Sequence, residues 1–159
     1  MKTKNLLLTI CILCSGVLYA QNDVMSKIFD KYESEDDITV ISISKAMFKM
    51  IPGNINTGDV DIKDIIPKIE SMRLITSQKT ALKEKMDMEM KALINNDKNY
   101  EELMRIKDGK SNITFNARKK GNTISELVML INSEKDFVAI YITGNFTFED
   151  IQKIAEKTQ

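Results

Sequence analysis

"TISELVMLINSEKDFVAIYIT", Thr123 to Thr143, holds two runs of mainly apolar, β-branched and aromatic residues around the polar turn Ser133-Glu134-Lys135-Asp136. Each run has the length of a strand, and a short polar turn joins strands that lie side by side and antiparallel. Both runs are almost continuously apolar, which places them in the middle of a sheet, covered on both faces or by helices on one. Upstream the period is also two. Tyr100, Met104 and Ile106 alternate mainly with charged residues as far as Asp108-Gly109, a hairpin dipeptide. Ile113, Phe115 and Ala117 then alternate with Asn112, Thr114, Asn116 and Arg118 before a second turn at Lys119-Lys120-Gly121-Asn122. Four strands in a meander follow from this pattern.

The preceding residues read as helices and strands in alternation. "VMSKIFDKY" predicts a helix, with Val24, Ile28, Phe29 and Tyr32 at helical spacing. The acidic stretch Glu33 to Asp37 leads to a β-branched strand, Ile38 to Ser44. "KAMFKMI" gives one or two helical turns that Pro52 and Gly53 stop. A short helix from Asp61 to Glu70 is interrupted by Pro67, which removes an amide donor. Met72 to Thr76 is a second strand. Leu82, Met86, Met90 and Leu93 mark a helix over about residues 78–94, ended by the polar cluster Asn95 to Asn99. After the meander, Thr147 is a helix N-cap with Asp150 three residues on, and Phe146 and Ile151 stand where a hydrophobic staple joins. Phe148, Ile151, Ile154 and Ala155 supply that helix with an apolar stripe. The fold class is α+β: a mostly antiparallel sheet with a C-terminal four-strand meander and helices mainly on one face. Residues 21–159 form a single domain.

Residues 1–20 combine Lys2 and Lys4, the apolar stretch "LLLTICILCSGVLYA" and a small residue at the exit. That is the pattern of a secretory signal peptide, cleaved between Ala20 and Gln21. A protein exported to the periplasm, the outer membrane or the medium is expected, with no transmembrane segment in the mature chain. Both cysteines, Cys11 and Cys14, fall inside the leader, so mature disulfides, thiolate metal sites and cysteine nucleophiles are not expected. Lipidation of Cys14 would require a small residue where Leu13 stands.

Lysine plus arginine and aspartate plus glutamate each number 23, and no region is strongly basic, which argues against nucleic acid as a partner. Histidine is absent, which removes serine–histidine triads and the commonest zinc ligand. Any catalysis would fall to carboxylates, lysine, tyrosine or a bound group.

Several constellations compete with plain architecture. Asp59, Asp61, Asp64 and Glu70 have partial calcium-loop spacing, but Lys63 and Asp64 occupy positions that need a ligand and a glycine. Met86, Met88 and Met90 are soft ligands suited to copper(I), yet on a helix Met88 points away from the other two. Glu33 to Asp37 reads as a solvated link. Arg118, Lys119 and Lys120 read as a charged hairpin tip, and Asn112 and Asn145 begin sequons with no assigned role. The Gly144-Asn145 corner could hold an anion at a helix start, but Glu149 and Asp150 already answer the dipole there.

The ending "IYITGNFTFEDIQKIAEK", the strand and helix of "ITVISISKAMFKMI" and the meander around "ELVMLI" and "FVAIYITG" resemble domain-of-unknown-function family 4252, exported proteins of Bacteroidetes-type bacteria. The resemblance implies an envelope or secreted location and a small α+β domain, and supplies no catalytic residues. The expected function is that of a non-enzymatic exported domain, without cofactor, that binds an envelope protein or small ligand through a sheet face or helix groove. The alternatives are a methionine-based copper binder and a hydrolase built on two carboxylates across a cleft.

Overall fold

The computed structural model describes residues 24–50 and 65–151. In chain order these form α1 (Val24–Glu33), β1 (Thr39–Ser44), α2 (Lys45–Met50), a 3-10 turn (Ile66–Lys68), β2 (Ile69–Ser77), α3 (Thr80–Asn96), β3 (Tyr100–Asp108), β4 (Ser111–Lys120), β5 (Thr123–Asn132) and β6 (Phe137–Phe146). Residues 148–151 begin a closing helix. The expected signal cleavage at Ala20 and Gln21, the lipidation candidate Cys14, the acidic loop at Asp59, Asp61 and Asp64, and Ile154 and Ala155 lie outside the described residues.

The sheet has six antiparallel strands in the order β1-β2-β6-β5-β4-β3. The apolar pair β5 and β6 is central, as its composition demands, and the meander from β3 to β6 is continuous. The main core lies between one sheet face and two helices. Met25, Ile28, Phe29 and Tyr32 of α1 and Met86, Met90 and Ile94 of α3 pack against Ile75, Val128, Leu130, Phe137, Ala139 and Tyr141. The α1 stripe is therefore set by Met25 and not by Val24, which is 46% exposed. Spacing explains the choice: positions 25, 28, 29 and 32 share one helical face, and Val24 turns away from it. Arg73 on β2 fastens α1 to the sheet. Its guanidinium lies 5.3 Å from the Phe29 ring centre, donates from Nη2 to Asp30 at 2.7 Å and from Nε to Glu33 at 2.9 Å.

A second cluster, Ile65, Ala117, Ile124, Leu127 and Phe146, closes one end of the opposite face, with Ile142 and Ile151 against it. The expected capping box is present. Thr147 N–H donates to Asp150 Oδ2 at 2.8 Å, and Asp150 N–H donates to Thr147 Oγ1 at 3.2 Å. Lys68 Nζ adds a bond of 2.6 Å to the same carboxylate.

Three further expectations differ from the structure. Instead of a helix running to Glu70, Pro67 sits inside a single 3-10 turn, and β2 starts at Ile69, three residues early. β6 runs through Gly144 and Asn145 to Phe146, so those residues make no corner. A Cβ on Gly144 would stand 2.4 Å from the Lys68 carbonyl oxygen, so this glycine permits a close backbone approach within the strand. Phe148 is 40% exposed, less covered than a docking stripe demands, and Lys119 Nζ of β4 lies 5.1 Å from its ring centre.

Candidate functional site

A cleft of about 540 Å³ opens where the end of α3 meets the start of β3. Its apolar wall is Val24, Met25 and Leu93, and its polar wall is Asp97, Tyr100, Arg118 and Glu126. Arg118 stands between two acids. Its Nε donates to Asp97 Oδ2 at 2.9 Å and its Nη1 to Glu126 Oε1 at 3.1 Å. Tyr100 donates its hydroxyl hydrogen to the other oxygen of Glu126, and Asn99 N–H donates to Asp97 Oδ1 at 2.9 Å.

Burial works to raise the pKa of Asp97, but the Asn99 amides and the Arg118 guanidinium outweigh it and hold the carboxyl below its ordinary range. Burial works to lower that of Arg118, and Asp97 and Glu126 outweigh it in the other direction. A carboxylate pair that hydrolyses glycosides keeps a proton on one member as the general acid. Asp97 is pushed the opposite way, and a guanidinium stands between it and Glu126. The arrangement ties β4, β5 and the turn after α3 together.

The residues singled out in the sequence are distributed as follows. Met86 and Met90 are fully buried in the main core, while Met88 is 67% exposed, so the three thioethers do not converge. Among the described residues no group of three or more acidic, histidine or cysteine side chains could hold a metal ion. Glu70 lies on β2 and pairs with Lys45. Glu33 pairs with Arg73 and Asp37 with Lys79, so the acidic stretch is tied down at both ends. Asn112 lies on β4 and Asn145 on β6. Arg118, Lys119 and Lys120 lie within β4; Gly121 and Asn122 alone form the hairpin tip. A register shift between Arg118 and Lys119 puts Arg118 opposite Glu126. Counting back from the turn without that bulge would pair Arg118 with Ser125, which is why the ion pair was not legible in the sequence.

A larger feature is the sheet face turned away from α1 and α3. Residues directly opposite in the ladders share a face, and one row across all six strands reads Ile41, Leu74, Ile140, Met129, Phe115, Met104. The next row on one side reads Thr39, Thr76, Val138, Ile131, Ile113, Ile106, and on the other Ile43, Met72, Ile142, Leu127, Ala117 before reaching Glu101. Only Glu101, at the margin, is charged. Ile41, Met104 and Ile106 are 47%, 51% and 43% exposed, and the middle of the face is half-buried. Among the described residues, the second cluster covers the end near Leu127 and Ala117 and reaches Ile142 and, in the central row, Phe115.

The β4–β3 side of the sheet shows the same bias. On β4, Thr114 and Asn116 lie on the helix-bearing face, while Ile113 and Phe115 lie on the other. On β3, Glu102, Arg105 and Lys107 share the former face and Met104 and Ile106 the latter.

The model of a family described as Domain of unknown function (DUF4252) matches residues 32–154. The chain belongs to this family. The DUF4252 match takes in all six strands, the Arg118 network and the whole apolar face, and starts in the last turn of α1. No curated protein and no solved structure matches the chain. Among the described residues of this DUF4252 chain no helix is long and apolar enough to cross a membrane.

Proposed function

We propose that the protein is an exported, non-enzymatic binding domain that engages an apolar counterpart through the sheet face opposite α1 and α3. The observation that carries this reading is the row Ile41, Leu74, Ile140, Met129, Phe115, Met104, which crosses all six strands without a charge. Alternation along a strand directs the apolar set toward an interior. On β3 and β4 the apolar set points away from the helices, so the interior it suits is one completed by another molecule. Contiguous exposed apolar patches beyond a few hundred Å² mark interaction sites. The leader-like residues 1–20 support export, and a mature N-terminus at Gln21 is the mass expected of the processed protein.

Incorporating a photo-crosslinking amino acid at position 129 in living cells tests the binding surface. A discrete adduct from position 129, absent from position 88 on the exposed side of α3, is expected. Equal labelling from the two positions, or none from 129, would overturn the reading.

A further inference from the structure

We infer that the counterpart of the apolar face is a second copy of this chain, packed sheet against sheet across a two-fold axis. This rests on the reading of that face as a binding surface and adds the identity of the occupant. Six strands about 4.8 Å apart span about 24 Å between the outermost two, and three rows of same-face residues extend over about 20 Å. The flat footprint is about 480 Å² before side-chain relief is added, more than half of the roughly 800 Å² per partner of a stable interface.

The rest of the chain has too little apolar material to cover such an area. Residues 51–64 carry Ile51, Ile55, Val60 and Ile62 among one proline, two glycines, two asparagines and three acids, and residues 152–159 carry only Ile154 and Ala155. A charged partner would gain nothing from a surface without charges. An identical sheet has the same twist and the same apolar rows, and two such sheets pack about 10 Å apart at roughly 30°. A two-fold axis uses one patch on both copies, so every requirement that the surface places on its partner is met by itself. Without Lys2 and Lys4 of the leader the processed chain has 23 − 2 = 21 basic and 23 acidic residues, so net repulsion between copies at neutral pH is small.

Sedimentation equilibrium of the purified, processed protein is the test. A mass that rises from one copy to two across the micromolar range is expected. Met129→Lys should remain a single copy over that range with an unchanged circular-dichroism spectrum. Should Met129→Lys fail to fold, Met104→Lys, at a more exposed position, carries the same expectation.

The leader holds both native cysteines, so Met129→Cys gives the processed chain one thiol near the centre of the patch. A short bismaleimide should link two Met129→Cys chains and should not link two Met88→Cys chains. A single-copy mass at every concentration, equal linking of the two cysteine variants, or a dimer that survives Met129→Lys would overturn the inference. A dimer abolished by Ser42→Pro on the outer strand β1 and untouched by Met129→Lys would assign association to edge pairing and overturn it equally. A single-copy mass combined with a heterologous adduct from position 129 in cells would overturn self-association while leaving the binding reading standing. Absence of both would overturn both.

Discussion

At Gly144 a single hydrogen decides whether β6 can pass the 3-10 turn. A methyl group there would meet the Lys68 carbonyl oxygen at 2.4 Å and the Phe146 ring at 2.5 Å. One of those obstacles is backbone and cannot swing aside. Gly144→Ala is therefore expected to destabilise the fold by about 1–3 kcal/mol, the usual range for forced overpacking, and to lower the midpoint of urea unfolding. Gly144-Asn145 has the composition of a turn, and only the three-dimensional approach of Lys68 shows why a strand needs glycine at this point. Asp150, four residues beyond Phe146, was legible because its partner Thr147 is local; Lys68, 82 residues away, was not. Burial opposes ionisation of Asp150, yet Lys68 and Thr147 hold its pKa below the ordinary 3.8. A lowered folded-state pKa gives stability that is fully present above the unfolded value and is lost as pH falls through the folded one. Asp150→Asn should cost about 1–3 kcal/mol at pH 7, where an ion pair and a charge-assisted cap are lost. In urea titrations the difference from the wild type should narrow once pH falls below 3.8, as the native carboxyl takes up its proton.

At the scale of elements, α3 separates a buried sulfur face from an exposed one within three turns. Met86 and Met90 fill the core beneath the helix and Met88 faces outward. Met86→Ala should cost about 2–5 kcal/mol, the range for emptying a buried methionine site. Met88→Ala should change stability by less than about 0.5 kcal/mol, as surface substitutions do. Chemical denaturation of the two variants checks the contrast, and similar losses would mean that Met88 also supports packing. The helix was legible because its apolar steps of four, four and three obey one period. Residues 65–70 were not, because the same apolar spacing fits a helix until Pro67 forces a turn and Ile69 enters a ladder opposite Gly144. The meander was legible because alternation and turn residues agree. Alternation could not say which face the helices take: on β4 it separates Thr114 and Asn116 from Ile113 and Phe115, and the polar pair is the one buried on the helix side.

Among the described residues, α1 and α3 cover one face of the sheet, and the other is covered at the end where Ile65, Phe146 and Ile151 pack. The order β1-β2-β6-β5-β4-β3 makes it so, because α1 and α3 build their core on β2, β5 and β6, and β4 and β3 send Ile113, Phe115, Met104 and Ile106 to the far side. The two sides of this arrangement differ in their response to salt. The helix-bearing side is laced with charge pairs such as Lys31 with Glu89 and Arg73 with Asp30, whereas the far side has none across its central row. Exposed charge pairs are screened over about 3 Å at 1 M salt, and burial of apolar area is not weakened by that screening. Dimerisation through the far face is therefore expected to persist when sodium chloride is raised from about 0.1 to 1 M and to strengthen in sodium sulfate, an excluded salt. It should weaken on cooling toward 5 °C, since the hydrophobic contribution falls with temperature. Sedimentation at the three conditions measures this directly. A dimer that dissociates in 1 M sodium chloride would place the binding energy in the charged margin, at residues such as Glu101 and Lys119, and not in the rows between.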